Sequence, residues 1–301
     1  STPESRGRIL AVYTFITLAA MTAGQFLINV GPITGSVPFA VAAIFMALAI
    51  VPVGLTRRMA PAPVQSTQSG FRLLFQRSHS AFFGALLSGL VVGSFWSLGA
   101  VFAGRVGQDQ MQVTWFMSAA IAGGALFQYP VGWLSDRLDR RHILIALAMG
   151  GALTSVAVAL SAGQPWHLFA VLMFGAAVMP LYAISLATAA DVSSSDEFVA
   201  IGTSVLLLHS IGAVLAPLGL GQVMTLFGAT ALFWATAVLC AFFSVLLYGF
   251  TRKPRAVSVE EQTPFNAAAA EVAPMSFELD PRGTEVDTTV QSPAGSGPEQ
   301  G

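Results

Sequence analysis

Charge is scarce in this sequence. Of 301 residues only 10% are Asp, Glu, Lys or Arg, against about 25% in soluble globular proteins. Cysteine is scarcer still: Cys240 stands alone, which excludes a disulfide within the chain. No Cys/His cluster has metal-ligand spacing, so no metal or cofactor is expected. No basic patch stands apart from the ends of the apolar runs, which argues against a nucleic-acid partner. The short apolar core of a secretory signal is missing too, because the first apolar run is already of span length and seven more follow. The chain opens on Ser1 and not on Met, from which a truncated N-terminus is expected.

Long apolar runs fill the space that charge leaves. Hydrophobic residues make up 54% of the chain and mean hydropathy is +0.71, so lipid is the solvent for most of it. Spanning structure must then be helical or a closed barrel. A barrel would show short alternating segments; these runs are continuous and about 20 residues long, the length of a transmembrane helix. Eight are read as spans: Ile9–Val30, Val37–Leu55, Ala81–Ala103, Val113–Leu134, Ile143–Ala162, Trp166–Ala190, Phe198–Leu220 and Ala229–Phe250, none containing Asp, Glu, Lys or Arg. Glycines within them, such as Gly89/Gly93, Gly123/Gly124 and Gly150/Gly151, are read as sites of close helix packing. Pro180 and Pro217 are read as kinks.

Basic residues set the orientation. With the N-terminus cytoplasmic, 13 of the 14 Lys and Arg residues fall on the cytoplasmic side, and Arg105 alone on the other. A missed or invented span would scramble that asymmetry. Both ends of the chain are therefore expected in the cytoplasm. Residues 56–80 read as a cytoplasmic connection. Residues 251–301 hold six prolines and, from Glu260 on, eight acidic residues against one Arg; such a segment buries too little apolar surface to offset its ordering entropy and is expected to be disordered.

The fourth span ends in Gly132-Trp-Leu-Ser-Asp136-Arg137-Leu-Asp139-Arg140-Arg141. This resembles the loop between the second and third helices of each six-helix half of the major facilitator superfamily, with Asp139 where that family usually has glycine. Arg6-Gly-Arg8-Ile-Leu-Ala-Val-Tyr13 with Gly24-Gln25, Gly93-Ser-Phe-Trp96, the run from Gly123 through Gln128 and Pro130 to Gly132, Leu181-Tyr182, and the stretch from His209 to Pro217 resemble the YcaD-like group of that superfamily. The resemblance covers roughly residues 4–250. It implies an all-α integral membrane protein, a fragment of the twelve-helix major facilitator fold with about eight spans corresponding to helices five to twelve. Residues 1–55 would be the last two helices of the N-terminal bundle, 56–80 the central loop, 81–250 the C-terminal six-helix bundle and 251–301 a tail.

The resemblance also supplies candidate sites. Gly132, Asp136, Arg137, Arg140 and Arg141 would form a cytoplasmic gate. In it Asp136 lies against the first turn of the seventh span, around residues 197–201, where free N–H groups and the helix dipole favour a carboxylate; the arginines face acids at Asp191, Asp196 and Glu197. Trp96, Tyr182, His209, Gln25 and Tyr13 are the candidates for a substrate cavity, with Asn29 as a further polar handle. His209 is the one titratable side chain near a bilayer midplane, and ionisable residues there are functional candidates; a neutral histidine bonded to a neighbouring helix is the plain alternative. His167, Trp166 and Trp115 read as interfacial. The expected function is secondary transport of a small organic solute by alternating access, as a monomer in a bacterial inner membrane, with a non-transporting sensor on the same fold as the alternative. A fragment with two helices of its first bundle is expected not to transport. An enzyme is not expected: neither HExxH nor GxSxG occurs.

Overall fold

The computed structural model describes residues 16–17, 19–55, 70–194 and 197–251, with Val53 described by its backbone alone. Tyr13, Asp196, residues 56–69 of the central connection and residues 252–301 of the tail lie outside the described residues, so what is said of them above remains an expectation.

All the regular structure among the described residues is helical. The elements are α1 (Ala19–Val30, ending in a 3-10 turn), α2 (Val37–Leu55), α3 (Phe71–Arg77), α4 (His79–Arg105), α5 (Gln110–Ser135), α6 (Arg140–Ser161), α7 (His167–Val178), α8 (Leu181–Ala190), α9 (Phe198–Phe227) and α10 (Ala231–Thr251). Every apolar run read from the sequence is helical over most of its described length. Five segments are long and apolar enough to cross a membrane: α4, α6, α7 with α8, α9 and α10. Helices α1 and α2 are apolar but shorter in their described parts. Helix α5 is 26 residues long but more polar, with Gln110, Gln112, Thr114, Ser118 and Gln128 along it.

Local chemistry explains the boundaries. The Ser78 hydroxyl accepts from Ala81 N at 3.1 Å and starts α4. Asp109 and Gln112 form a reciprocal capping box at the start of α5. Gly107 and Gly228 adopt positive φ (88° and 91°) in the turns after α4 and α9, a backbone region that a Cβ disfavours. Proline acts in two ways. Pro180 divides the sixth run into α7 and α8, since it has no N–H to donate and its ring crowds the preceding turn. Helix α9 runs on through Pro217. The 56–80 connection, read as a loop, carries the seven-residue helix α3. Leu74 of α3 is fully buried against Ala85, Ala189, Ile201 and Val205 of α4, α8 and α9, an anchor too short to leave a periodic signal.

Helices α4 to α10 pack as one bundle. Its most extensive contacts are α4 with α9, α6 with α10, and α5 with α7. The main core is aromatic: Phe95, Phe102, Phe116, Phe174 and Phe233 meet edge-on or tilted with centroids 4.7–6.4 Å apart. The glycine expectation holds. A Cβ on Gly123 would run into the Leu172 carbonyl, and one on Gly175 into the Ala120 carbonyl, so α5 and α7 touch backbone to backbone. Outward faces are apolar, with Leu153, Leu160, Val238 and Phe242 all well exposed, while Arg140 is the largest fully buried side chain. That distribution suits a hydrocarbon solvent.

Candidate functional site

Two groups of side chains stand out, one in the middle of the bundle and one at the end where α5 turns into α6. The first lies where α4, α8 and α9 meet. Gly89 and Gly212 bring α4 and α9 into backbone contact: a Cβ on Gly89 would collide with the His209 carbonyl, and one on Gly212 would sit 2.7 Å from Leu86 O and Leu90 N. That approach places Ser88 Oγ 2.8 Å from His209 Nδ1. Ser88 also donates to Ala85 O at 2.7 Å. From α8 the Tyr182 ring stands edge-on to the imidazole, with centroids 4.8 Å apart. Tyr182 and His209 are both half-buried. No Asp, Glu, Lys or Arg occurs in α8 or α9.

Two of the cavity candidates, Tyr182 and His209, are thus in contact. Trp96 lies two turns beyond Ser88 on α4, half-buried and edge-on to Phe95. Gln25 is on α1, and the far end of that helix is bonded to the bundle. There Asn29 Nδ2 donates to Thr114 Oγ1 at 2.7 Å, Gln110 Nε2 donates to Ile28 O at 2.6 Å and Gly31 O at 3.1 Å, and Phe26 stands edge-on to Trp115. Sequence reasoning missed Ser88; its one visible signal is its place beside Gly89, the residue that opens the interhelical contact.

At the α5–α6 turn, Arg140 is 1% exposed and is held on three sides. Its Nη2 donates to Asp136 Oδ1 at 2.8 Å, and its Nη1 donates to Asp191 Oδ1 at 2.7 Å and to Ala187 O at 3.2 Å. Asp191, at the end of α8, is itself 5% exposed. One guanidinium therefore joins the ends of α5, α6 and α8. The other two arginines of the motif act locally. Arg141 forms a two-pronged pair with Asp139, with Nε–Oδ2 at 3.1 Å and Nη2–Oδ2 at 2.9 Å, and Arg137 lies over the Trp133 ring at 3.7 Å. Asp139 also caps α6 by accepting from Arg141 N at 2.9 Å, which gives a local use to the residue that departs from the family glycine. Burial would raise the Asp139 pKa, but the hydrogen bonds and charge of Arg141 outweigh it and hold the carboxyl below its ordinary range. An ion pair from α3 reaches the start of α9: Arg77 Nη2 donates to Glu197 Oε1 at 2.9 Å and Oε2 at 3.2 Å. Those bonds, with lesser ones from Ser194, hold Glu197 below the usual carboxylate range.

One expectation is corrected. His167, read as interfacial, is buried. Its Nδ1 lies 2.8 Å from Ser161 Oγ and its ring stacks on Phe116, because the side chain turns inward against the aromatic core. Trp166 and Trp115 are exposed, as belt residues are.

A sequence model of the Major Facilitator Superfamily matches residues 1–198 and 81–282. The uncharacterized MFS-type transporter YcaD of Escherichia coli O17:K52:H18 (strain UMN026 / ExPEC) is 28% identical over 259 residues, which cover 84% of this chain and 67% of that protein. The protein of the same description from Escherichia coli strain K12 / DH10B is 27% identical over a stretch of the same coverage.

Proposed function

The chain belongs to the Major Facilitator Superfamily of secondary transporters, and from that membership we propose that it moves a small organic solute across the membrane by alternating access. Its family is one of transporters and not of enzymes, and it is a multi-pass membrane protein. In this reading all eight apolar helices cross the bilayer of a bacterial inner membrane, with the α5–α6 turn on the cytoplasmic side. Tyr182, His209 and Trp96 belong to the wall of the solute cavity, with Gln25 and Tyr13 facing them from the first bundle.

The observation that carries the mechanism is the buried Arg140, bonded at once to Asp136 and Asp191. A charge taken out of water is stable only while its partners stay in place. Separating the ends of α5 and α8 would strand it, so the triad holds this end of the bundle together, as a closed cytoplasmic mouth requires. Asp136, more exposed than Asp191, is the member able to leave the pair, and its second role is to lie against the first turn of α9. A gate bias of about 1.4 kcal/mol shifts a two-state ratio tenfold.

The test is labelling of single cysteines near the cytoplasmic end of α9 by a membrane-impermeant maleimide, in vesicles carrying the protein; Cys240, fully buried, is the background thiol. Asp136→Asn is expected to raise labelling with the fold retained. Unchanged labelling would leave the motif a topological anchor. Uptake and efflux assays on a protein with both bundles test transport itself; by this chain alone no flux is expected, and solute binding without flux by the two-bundle protein would point to a sensor.

A further inference from the structure

We infer that Ser88 locks His209 in its Nδ1–H tautomer, so that Nε2 presents a lone pair beside Tyr182 and the site takes a neutral organic solute through a hydroxyl or N–H donor. This rests on the reading of Tyr182 and His209 as cavity wall.

Proton counting leads to it. A serine hydroxyl has one proton and two lone pairs. Ser88 commits its proton to Ala85 O one turn back, at 2.7 Å. With the hydroxyl proton placed on that carbonyl, the same oxygen, 2.8 Å from His209 Nδ1, accepts, which assigns the ring proton to Nδ1. Nε2 of the neutral ring is left as an acceptor, and it has no hydrogen-bond partner among the described residues. The ring is packed where it stands: the α4–α9 backbone contact at Gly89 holds the two helices together beside it, and the Tyr182 ring lies edge-on to it at 4.8 Å.

The chemical class follows from what surrounds the ring. Helix α4 has His79 and Arg105 at its two ends and no charge between them. Helices α8 and α9 carry no Asp, Glu, Lys or Arg, and α10 carries only Cys240 and Tyr248 as titratable groups. The basic residues of α3, Arg72 and Arg77, lie at the ion-paired end of the bundle. Tyr182 is the titratable group that faces His209. A charged solute would find no counter-charge on these helices, and an unpaired charge at membrane depth is unfavourable. An acceptor nitrogen beside an aromatic ring, in an uncharged wall, suits a neutral donor on an apolar body.

The experiment is ¹⁵N NMR of histidine in the full chain, held in lipid nanodiscs at about pH 8, where an ordinary imidazole of pKa about 6.5 is neutral. The chain has four histidines, and a His209→Gln variant identifies the resonance. His209 is expected as the Nδ1–H form, and Ser88→Ala is expected to shift the tautomer ratio toward Nε2–H by roughly three- to tenfold, the range one hydrogen bond supports. Ser88→Thr, which keeps the hydroxyl, is expected to retain the wild-type form. A wild-type His209 in the Nε2–H form, or a ratio indifferent to Ser88→Ala, overturns the lock, and the wild-type spectrum alone decides it if a variant fails to fold. For the solute class the probes are phenol, its near-isostere toluene, benzoate and benzylammonium. Phenol is expected to move the Nε2 resonance and toluene to leave it. A larger shift with benzoate or benzylammonium than with phenol overturns the neutral-donor class. These readings do not depend on flux, so a failure of transport by a protein with both bundles would refute the proposed function and leave the tautomer result standing.

Discussion

At the end of the bundle where α5 turns into α6, the side chains that tie helices together are charged: Arg140 with Asp136 and Asp191, and Arg77 of α3 with Glu197 before α9. Where α1 meets α5, at the opposite end of the same helix, they are neutral: Asn29 with Thr114, Gln110 with two backbone carbonyls, Phe26 with Trp115. The difference has a mechanical meaning. A buried ion pair resists separation steeply, because a stranded charge cannot be solvated in place. Neutral hydrogen bonds exchange with water at little net change, about 0.5–1.5 kcal/mol each. The charged end therefore suits a latch with two defined states, and the neutral end a contact that opens and closes easily.

The comparison breaks most readily at Arg140. Arg140→Leu removes the positive charge paired with the buried Asp191 and is expected to destabilise the bundle by about 3–5 kcal/mol, read by thermal unfolding in detergent. A loss of less than about 1 kcal/mol would put the triad in the class of surface ion pairs. Next in size is a packing change between the two ends. Gly212→Val pushes a side chain into the α4 backbone. It is expected to destabilise by about 1–3 kcal/mol and to draw Ser88 and His209 out of hydrogen-bonding range.

The neutral end sharpens the comparison by being insensitive to salt. Asn29→Ala is expected to weaken the α1–α5 contact by about 0.5–1.5 kcal/mol, equally at low and at high salt, when followed by disulfide trapping between cysteines placed in α1 and α5. The smallest effects belong to the partly exposed pairs. Asp139 has a folded pKa below its unfolded value of about 3.9. Its stabilisation is therefore fully present above about pH 4 and is lost as pH falls through the lower folded value; Asp139→Asn should remove that acid-side dependence in an unfolding titration. Glu197, also lowered, follows the same sign. Its pair with Arg77 is open to solvent, so Arg77→Ala is expected to matter at low salt and to become undetectable at high salt.

Much of this molecule is legible in its sequence. The apolar runs mark the helices because a span that fills a bilayer needs about 20 continuous apolar residues. Gly89, Gly123 and Gly151 mark close approaches, since only small residues allow them. The motif from Gly132 to Arg141 marks the charged turn. Helix α3 is not legible, because seven residues around one buried leucine carry no usable period. His167 is misplaced by sequence reasoning because span position does not say which way a ring points.

The sequence by itself determined the solvent of this protein, the positions of its helices and the end at which its charges gather, because all three depend on local composition. The tertiary structure decided the partnerships. Arg140 finds Asp191 51 residues away and Ser88 finds His209 121 residues away, while Arg141 and Arg137, from the same motif, turn to Asp139 and Trp133. The physical reason is that a polar contact between helices depends on the rotation and register of both. Those are set by backbone contacts such as Gly89 against His209, which exist only once the helices have packed.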